Sequence, residues 1–333
     1  MSEPVKFAVL GIDHRHAFGM SEHMIAAGAQ MCGWFTEGTP ETLDGFSKRF
    51  PDAPRMSFDD VMALDVDLML IAAIPVDRAG LAIQAMDAGF DVMVDKPGCT
   101  DMAQLDAIKE SVARTGRIWS VDFSERFEVP CVTKAAELVQ AGAIGKVVQT
   151  VGLGPHRLNR ATRPDWFFER EKFGGILTDI ASHQIDQFLY FTEATDAEVT
   201  LASIGNYANS SDAELQDFGQ IVLRSGTANG YIRVDWYTPD ALPTWGDGRL
   251  TILGTEGTIE LRKYCDVGGA DGTDHLFLTN GSRCERIDAS DAGLPYFANL
   301  IADIRNRSET AMPQAHAFKV MELGLFAQSM AEA

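Results

Sequence analysis

Apolar and polar positions follow one another along this chain in two regimes. In the first third, short apolar and β-branched runs are separated by segments whose apolar residues recur at helical spacing. Val5 to Leu10 ends at Gly11 and is followed by a helical pattern through Phe18, Met20, Met24 and Ile25. Gln30 to Phe35 reads as a second strand, Leu43 to Phe50 as a helix, and Leu68 to Ala73 as a strand apolar enough to be buried on both faces. Ala79 to Ala88 is helical and stops at Gly89. Asp91 to Val94 is a strand halted by Lys96-Pro97-Gly98, and a helix over Met102 to Arg114 leads to a strand over Ile118 to Phe123. This alternation predicts a doubly wound parallel α/β sheet over residues 1–123, opened by the strand, glycine turn and helix of a dinucleotide fold.

Beyond Phe123 the regime changes. Val132 to Ala141 and Gly175 to Phe191 read as helices, and from Val199 onward period-two segments dominate: Phe218 to Leu223, Asn229 to Trp236, Leu250 to Leu253, Thr258 to Leu261 and His275 to Leu278. Turn residues at Gly226, Gly254-Thr255-Glu256-Gly257 and Asn280-Gly281 join them. Residues 124–333 are therefore expected to form an α+β domain with one large, open, mostly antiparallel sheet. Helices over Tyr296 to Arg305 and His316 to Met330 follow it.

Composition narrows the partners. A net charge of -20, from 48 acidic and 28 basic residues, repels nucleic acid and anionic membranes alike, so small molecules are expected instead. The five cysteines are scattered without a C-x-x-C, which indicates neither a disulfide framework nor a zinc knuckle and suits a reducing cytoplasm. No basic, apolar leader opens the chain and no segment approaches a membrane span, so a cytoplasmic protein is expected.

Candidate chemistry concentrates in Phe173 to Asp186. Asp179 and His183, four apart, are expected on one face of a single helix, where a carboxylate orients an imidazole and favours its charged form. Gly174 and Gly175 let the backbone entering that helix approach a ligand closely. A helix start whose partly buried histidine is satisfied by its own aspartate fits the same residues.

Four features together resemble the glucose-fructose oxidoreductase, inositol dehydrogenase and rhizopine catabolism family, written Gfo/Idh/MocA. They are Asp95-Lys96-Pro97, where that family usually has Glu-Lys-Pro; Arg126-Phe127 followed by Ala141-Gly142-Ala143-Ile144-Gly145-Lys146-Val147; Gly174-Gly175 with Asp179, His183 and Asp186; and Gly254-Thr255-Glu256-Gly257. The resemblance implies a nicotinamide-binding Rossmann domain followed by a domain whose sheet often serves as the oligomer interface, hence a homodimer or homotetramer. It also implies that Lys96, Asp179 and His183 are catalytic. An ammonium at the end of a parallel strand agrees with that, since it can stabilise a substrate alkoxide where open α/β sheets place ligands.

The phosphate loop departs from the family pattern. Gly11-Ile12-Asp13-His14-Arg15-His16 keeps the tight-turn glycine but puts Asp13 where a second glycine is usual. A carboxylate there repels a pyrophosphate, so Asp13 must turn away, or the cofactor must sit differently or be absent; His14, Arg15 and His16 can compensate by donating to phosphate at the helix start. Thr36 and Glu37 stand at the ribose position, which favours NAD over NADP, and Ala73-Ile74-Pro75 resembles the nicotinamide-side loop. Asp13, His14, His16 and His23 suggest a metal, but no cysteine or second carboxylate joins them and none is expected. His156, Arg157, Arg163 and Trp166 suit a polyhydroxy or carboxylated substrate, or simply a surface loop. The expected activity is NAD(P)-dependent interconversion of a secondary alcohol and a carbonyl on a sugar, polyol or similar small metabolite. Imine reduction on the same scaffold, or a regulatory protein that binds nucleotide or sugar without catalysis, are the alternatives.

Overall fold

The computed structural model describes residues 3–333. The leader reading bears partly on Met1 and Ser2, which lie outside the described residues. The chain forms two compact units: the first is the chain through Asp122 with Glu171–Gly174 and Pro295–Phe318, the second Phe123–Arg170, Gly175–Leu294 and Lys319–Ala333. The first unit's opening run of chain leaves off at Asp122, and the Pro295–Asn306 helix belongs to this unit too. Its Tyr296 hydroxyl bonds Ser120 at 2.7 Å, and Phe297 stacks on His23 at 4.8 Å. No pattern within that helix announces so distant a partner.

In the first unit the strands are β1 Lys6–Leu10, β2 Gln30–Phe35, β3 Leu68–Ile71, β4 Asp91–Asp95 and β5 Trp119–Asp122. They pair in parallel in the order β2-β1-β3-β4-β5, the doubly wound sheet expected. The connecting helices are α1 His16–Ala26, α2 Leu43–Arg49, α3 Phe58–Met62, α4 Pro75–Asp87 and α5 Met102–Thr115. α3 escaped the pattern because five residues are too few to show a helical period. α4 starts four residues before the expected Ala79, because Pro75 has the fixed φ that suits a first helical turn. β3 and β4 are buried along their whole length, as both-face coverage requires.

In the second unit, α6 Ser124–Phe127 and α7 Pro130–Gln140 lead into β6 Val147–Pro155, and α8 Arg170–Phe173, which straddles the unit boundary, precedes α9 Ile176–Asp179 and α10 Ala181–Thr192. The remaining strands are β7 Glu198–Gly205, β8 Phe218–Arg224, β9 Asn229–Asp235, β10 Arg249–Gly254, β11 Gly257–Arg262, β12 His275–Asn280 and β13 Cys284–Ile287. α11 Pro295–Asn306 and α12 Gln314–Glu332 close the chain. The eight strands form one sheet, β13-β12-β11-β10-β6-β9-β8-β7. It is antiparallel except where β6 runs parallel to β9, so these two strands end side by side. α10 packs against β6, where Gly152 and Gly154 leave room for Gln184: a Cβ on either would lie 2.8 Å from that side chain. Among the described residues no helix is long and apolar enough to cross a membrane.

Gly175 fixes where α9 begins. Its φ is +88°, and a Cβ there would fall 2.2 Å from the Gln328 side chain, which accepts the Leu177 N–H at 3.0 Å. Gly175→Ala is expected to destabilise the protein by about 2–4 kcal/mol, through left-handed strain plus overpacking. Gly226, with nothing within 4 Å of its Cβ position, is the control. Urea denaturation should show Gly226→Ala within about 0.5 kcal/mol of the parent.

Candidate functional site

In the first unit, a cavity of about 860 Å3 is lined by Gly11, Asp13, Phe35, Glu37, Ala73 and Ile74, and extends along α4 and α5. The first six stand where β1, β2 and β3 end, the place open α/β sheets offer ligands. Gly11 is required there: its φ is +75°, and a Cβ would lie 2.4 Å from that of Ala73. The loop is tied down by Gly11 N–H to the Phe35 carbonyl at 2.8 Å and His14 N–H to the Ala72 carbonyl at 3.0 Å.

The rest of the expected loop chemistry is rearranged. Ile12, Thr36 and Pro75 are buried and present no face to the cavity. Asp13 lines the cavity rather than turning away from it. Burial, partly offset by its own backbone N–H and by Arg78, raises Asp13 to about 6. His14 and His16 turn to Asp95: each Nδ1 lies 2.8 Å from one of its carboxylate oxygens. Burial lowers His14 to about 3, so at neutral pH it is an uncharged imidazole and not the cationic phosphate donor expected.

Asp95 itself is fully buried, and Arg78, equally buried, holds it at 2.8 Å. The guanidinium also donates to the carbonyls of Ala73 at 2.8 Å, Asp95 at 3.0 Å, Pro97 at 3.1 Å and Lys96. Burial alone would raise Asp95, yet Arg78 and the two imidazoles hold it well below the ordinary carboxylate range. The fold therefore supplies the carboxylate that the metal reading lacked, since His14, His16 and Asp95 offer ligand atoms within 4.8 Å of one another. A guanidinium on the same carboxylate opposes a further cation, and it is Arg78, through its bonds to the carbonyls of Asp95, Lys96 and Pro97, that holds the Lys96 backbone. Arg78 was overlooked in the sequence, although it interrupts the apolar face made by Ala82, Ala85 and Met86, and a charge on such a face demands a buried partner.

In the second unit, the single helix expected over Gly175 to Phe191 is two. α9 ends at Asp179, Ile180 is the junction, and α10 starts at Ala181. The positive-φ pair Gly174 and Gly175 confines α9 to one turn, and the His183 N–H reaches back only three residues, to the Ile180 carbonyl at 3.2 Å. Asp179 therefore ends one helix while His183 lies in the next, both nearly inaccessible at 8% and 2% exposure.

The carboxylate tied to the His183 face is one that sequence reasoning missed, Glu125. It is buried and accepts from Lys263 Nζ at 2.6 Å and Gln184 Nε2 at 3.0 Å, while Lys263 also donates to Gln187 at 3.0 Å. His183, Gln184 and Gln187 fall on adjoining positions of one α10 face. Burial would raise Glu125, but the charges of Lys263, His183 and His156 bring it down to about 2. One residue on, Arg126 grips Asp186 with two bonds of 2.6 Å. An acid and a base between Phe123 and Phe127 were the available signal.

The expected substrate residues lie at the ends of β6 and β9. His156 Nδ1–H donates to the Gly154 carbonyl at 3.1 Å, and its ring meets Trp236 and Trp245. Arg157 donates to the carbonyls of Pro239 and Leu242, and Arg163 to those of Leu158 and Arg157, so both guanidiniums brace the loop. Trp166 packs beside Phe167 at 6.0 Å.

Comparison with known proteins agrees with both units. Residues 36–123 match the family model described as an oxidoreductase family with an NAD-binding Rossmann fold, and residues 132–260 match the GFO/IDH/MocA C-terminal domain. A crystal structure from Erwinia carotovora atroseptica SCRI1043, described as an oxidoreductase without an assigned substrate, is 44% identical over 98% of each chain with a TM-score of 0.95. The scyllo-inositol 2-dehydrogenase (NAD(+)) of Bacillus subtilis is 27% identical over 201 residues, 58% of this chain. The chain thus spans about half, 54%, of that relative's length. Levoglucosan dehydrogenase, solved with NADH and levoglucosan, shares the fold at 17% identity, with a TM-score of 0.80 over 99% of this chain and 97% of that one.

The residues present fit NAD. Gly11 admits close approach, Glu37 faces the cavity, and four carboxylates (Asp13, Glu37, Asp77, Asp101) with no lysine or arginine line it. Arg55 comes near the end of β2, but its guanidinium is committed to the carbonyls of Thr36 and Gly38 at 3.0 and 2.8 Å. Calorimetry should therefore give NADH at least about tenfold tighter than NADPH, and Glu37→Arg should narrow the gap; equal affinities for the parent would refute this. Because Asp13 must be protonated to accept a nearby anion without repulsion, NADH affinity should fall as pH rises through about 6. Asp13→Asn should flatten that dependence between pH 5 and 8, and an unchanged slope would clear Asp13 of the effect.

Proposed function

We propose, from the premise that this chain belongs to the Gfo/Idh/MocA family of NAD-binding oxidoreductases, that it interconverts a secondary alcohol and a ketone on a cyclic polyol or sugar. The observation that carries the redox part is the cavity at the ends of β1, β2 and β3, entered over Gly11 and flanked by Glu37. When bound, the nicotinamide supplies the hydride acceptor for oxidation or the donor for reduction. The choice of a ring-shaped, hydroxylated substrate draws on relatives such as the NAD-dependent inositol dehydrogenase.

In this reading His183 takes the proton of the reacting hydroxyl. Its near-complete burial excludes bulk water from the imidazole, and Glu125 supplies a buried negative charge that favours the imidazolium formed. Lys96 holds the developing alkoxide; the Arg78 bonds to the carbonyls around it fix its backbone before substrate arrives. Asp179 orients the substrate hydroxyl or the imidazole from the end of α9.

The test is a screen of inositols, pyranosides and open-chain polyols with NAD+, read as NADH absorbance. On the best substrate, His183→Ala should lower kcat by about 10²–10⁴ while NADH affinity stays within about twofold. Lys96→Ala should be similarly impaired, and the double variant little worse than either single, because the groups act together. Parental turnover in His183→Ala would remove α10 from the mechanism.

A further inference from the structure

Where β6 and β9 end together, the second unit carries an aromatic ledge that the catalytic roles above leave unused. The His156 ring lies 4.6 Å from that of Trp245, and Trp245 lies 4.7 Å from Tyr264. The tryptophan is held by its backbone. Arg157 N–H bonds the Trp245 carbonyl at 2.7 Å, and Gly246 pairs with His156 as an antiparallel bridge. A Cβ on Gly246 would lie 2.6 Å from the Pro155 carbonyl oxygen, so only glycine allows so close a pairing. Arg157 also pins the preceding turn through Pro239 and Leu242.

Despite this support, the Trp245 side chain is 48% exposed. A large ring on a braced backbone costs little entropy to order against a ligand, and its uncovered face is apolar surface left in water. The imidazole of His156 supplies a polar ring against it, and the Asp247–Arg249 ion pair follows it in the chain. A flat apolar face next to such groups complements a six-membered sugar or cyclitol ring, which presents C–H bonds on one face and hydroxyls around its edge. An open-chain polyol has no such face.

We propose that Trp245 is a specificity-determining residue, its exposed indole face stacking on the C–H face of a six-membered ring substrate and selecting such rings over open-chain polyols. This rests on the sugar or polyol reading of the function. The test uses the full chain with NAD+ and compares Trp245→Ala and Trp245→Phe with the parent on methyl glucoside, an inositol and sorbitol. Trp245→Ala should raise KM for the ring substrates at least about tenfold with kcat within about twofold, leave KM for sorbitol within about twofold, and be largely rescued by phenylalanine. Equal effects on rings and sorbitol, or none on either, would overturn it. So would a change in sedimentation from oligomer to monomer with KM unchanged, which would make the indole a contact with a second copy.

A readout independent of turnover separates this from failure of the function itself. The chain has five tryptophans, so the fluorescence change caused by methyl glucoside or inositol in the parent, minus that in Trp245→Phe, isolates position 245. A saturable difference with the rings and none with sorbitol is expected even if the oxidised position on the ring is another than supposed. Its absence with every ring compound sinks the stacking role, whatever the enzyme turns over.

Discussion

The Arg78–Asp95 pair is the constraint on which the first unit's chemistry depends. A guanidinium and a carboxylate removed from water together cost several kcal/mol of solvation each, and their attraction only about repays it. The arrangement persists because the guanidinium spends its other donors on the carbonyls of Ala73, Asp95, Lys96 and Pro97, groups at the ends of two adjacent strands. What the pair provides is position. The residue after Asp95 is Lys96, and a lysine whose own backbone is clamped loses less freedom when its ammonium meets a charge.

The second unit solves the same problem with different residues. Here the anchors flank the imidazole: Gln184 ties α10 to Glu125, and Asp186 ties it to Arg126. Both partners come from the four-residue α6, so one short segment sets the rotation of α10 and with it the direction of His183. In each unit the reactive candidate lies within three residues of a member of a buried ion pair, Lys96 next to Asp95 and His183 three residues before Asp186.

This division explains what could be read from the sequence. The strands and helices of the first unit were legible because burial on two faces writes continuous apolar runs, and glycine or proline marks their ends. Lys96, Asp179 and His183 stood out through a resemblance whose motifs are local, and their catalytic role is the proposal made above. The supports were not: His16 and Asp95 are 79 positions apart, and Lys263 and Glu125 are 138 apart. No period or spacing connects such pairs, and only the folded backbone brings them together. The break at Ile180 was hidden for another reason, since the apolar spacing of Leu177, Ile180 and Ala181 continues through it. The parallel β6–β9 pairing was equally invisible, because a strand's own pattern does not record the direction of its neighbour.

That parallel pairing is what makes the β6–β9 end of the second unit adaptable. Two strands that finish side by side deliver His156 and Trp236 to one rim, and the loops that follow them can change length or sequence without disturbing the sheet behind. The buried anchors lie a few residues back along the same elements: Gly152 and Gly154 on β6 accommodate Gln184, which holds Glu125. Selection for a different substrate can therefore act on the ledge of Trp245 and its bracing turn while the ion pairs that aim the imidazole stay fixed. Close relatives of this chain should then differ most in residues 237–248 and least in the glycines and charges behind them, a pattern opposite to that of a protein whose exposed aromatic served only to join subunits.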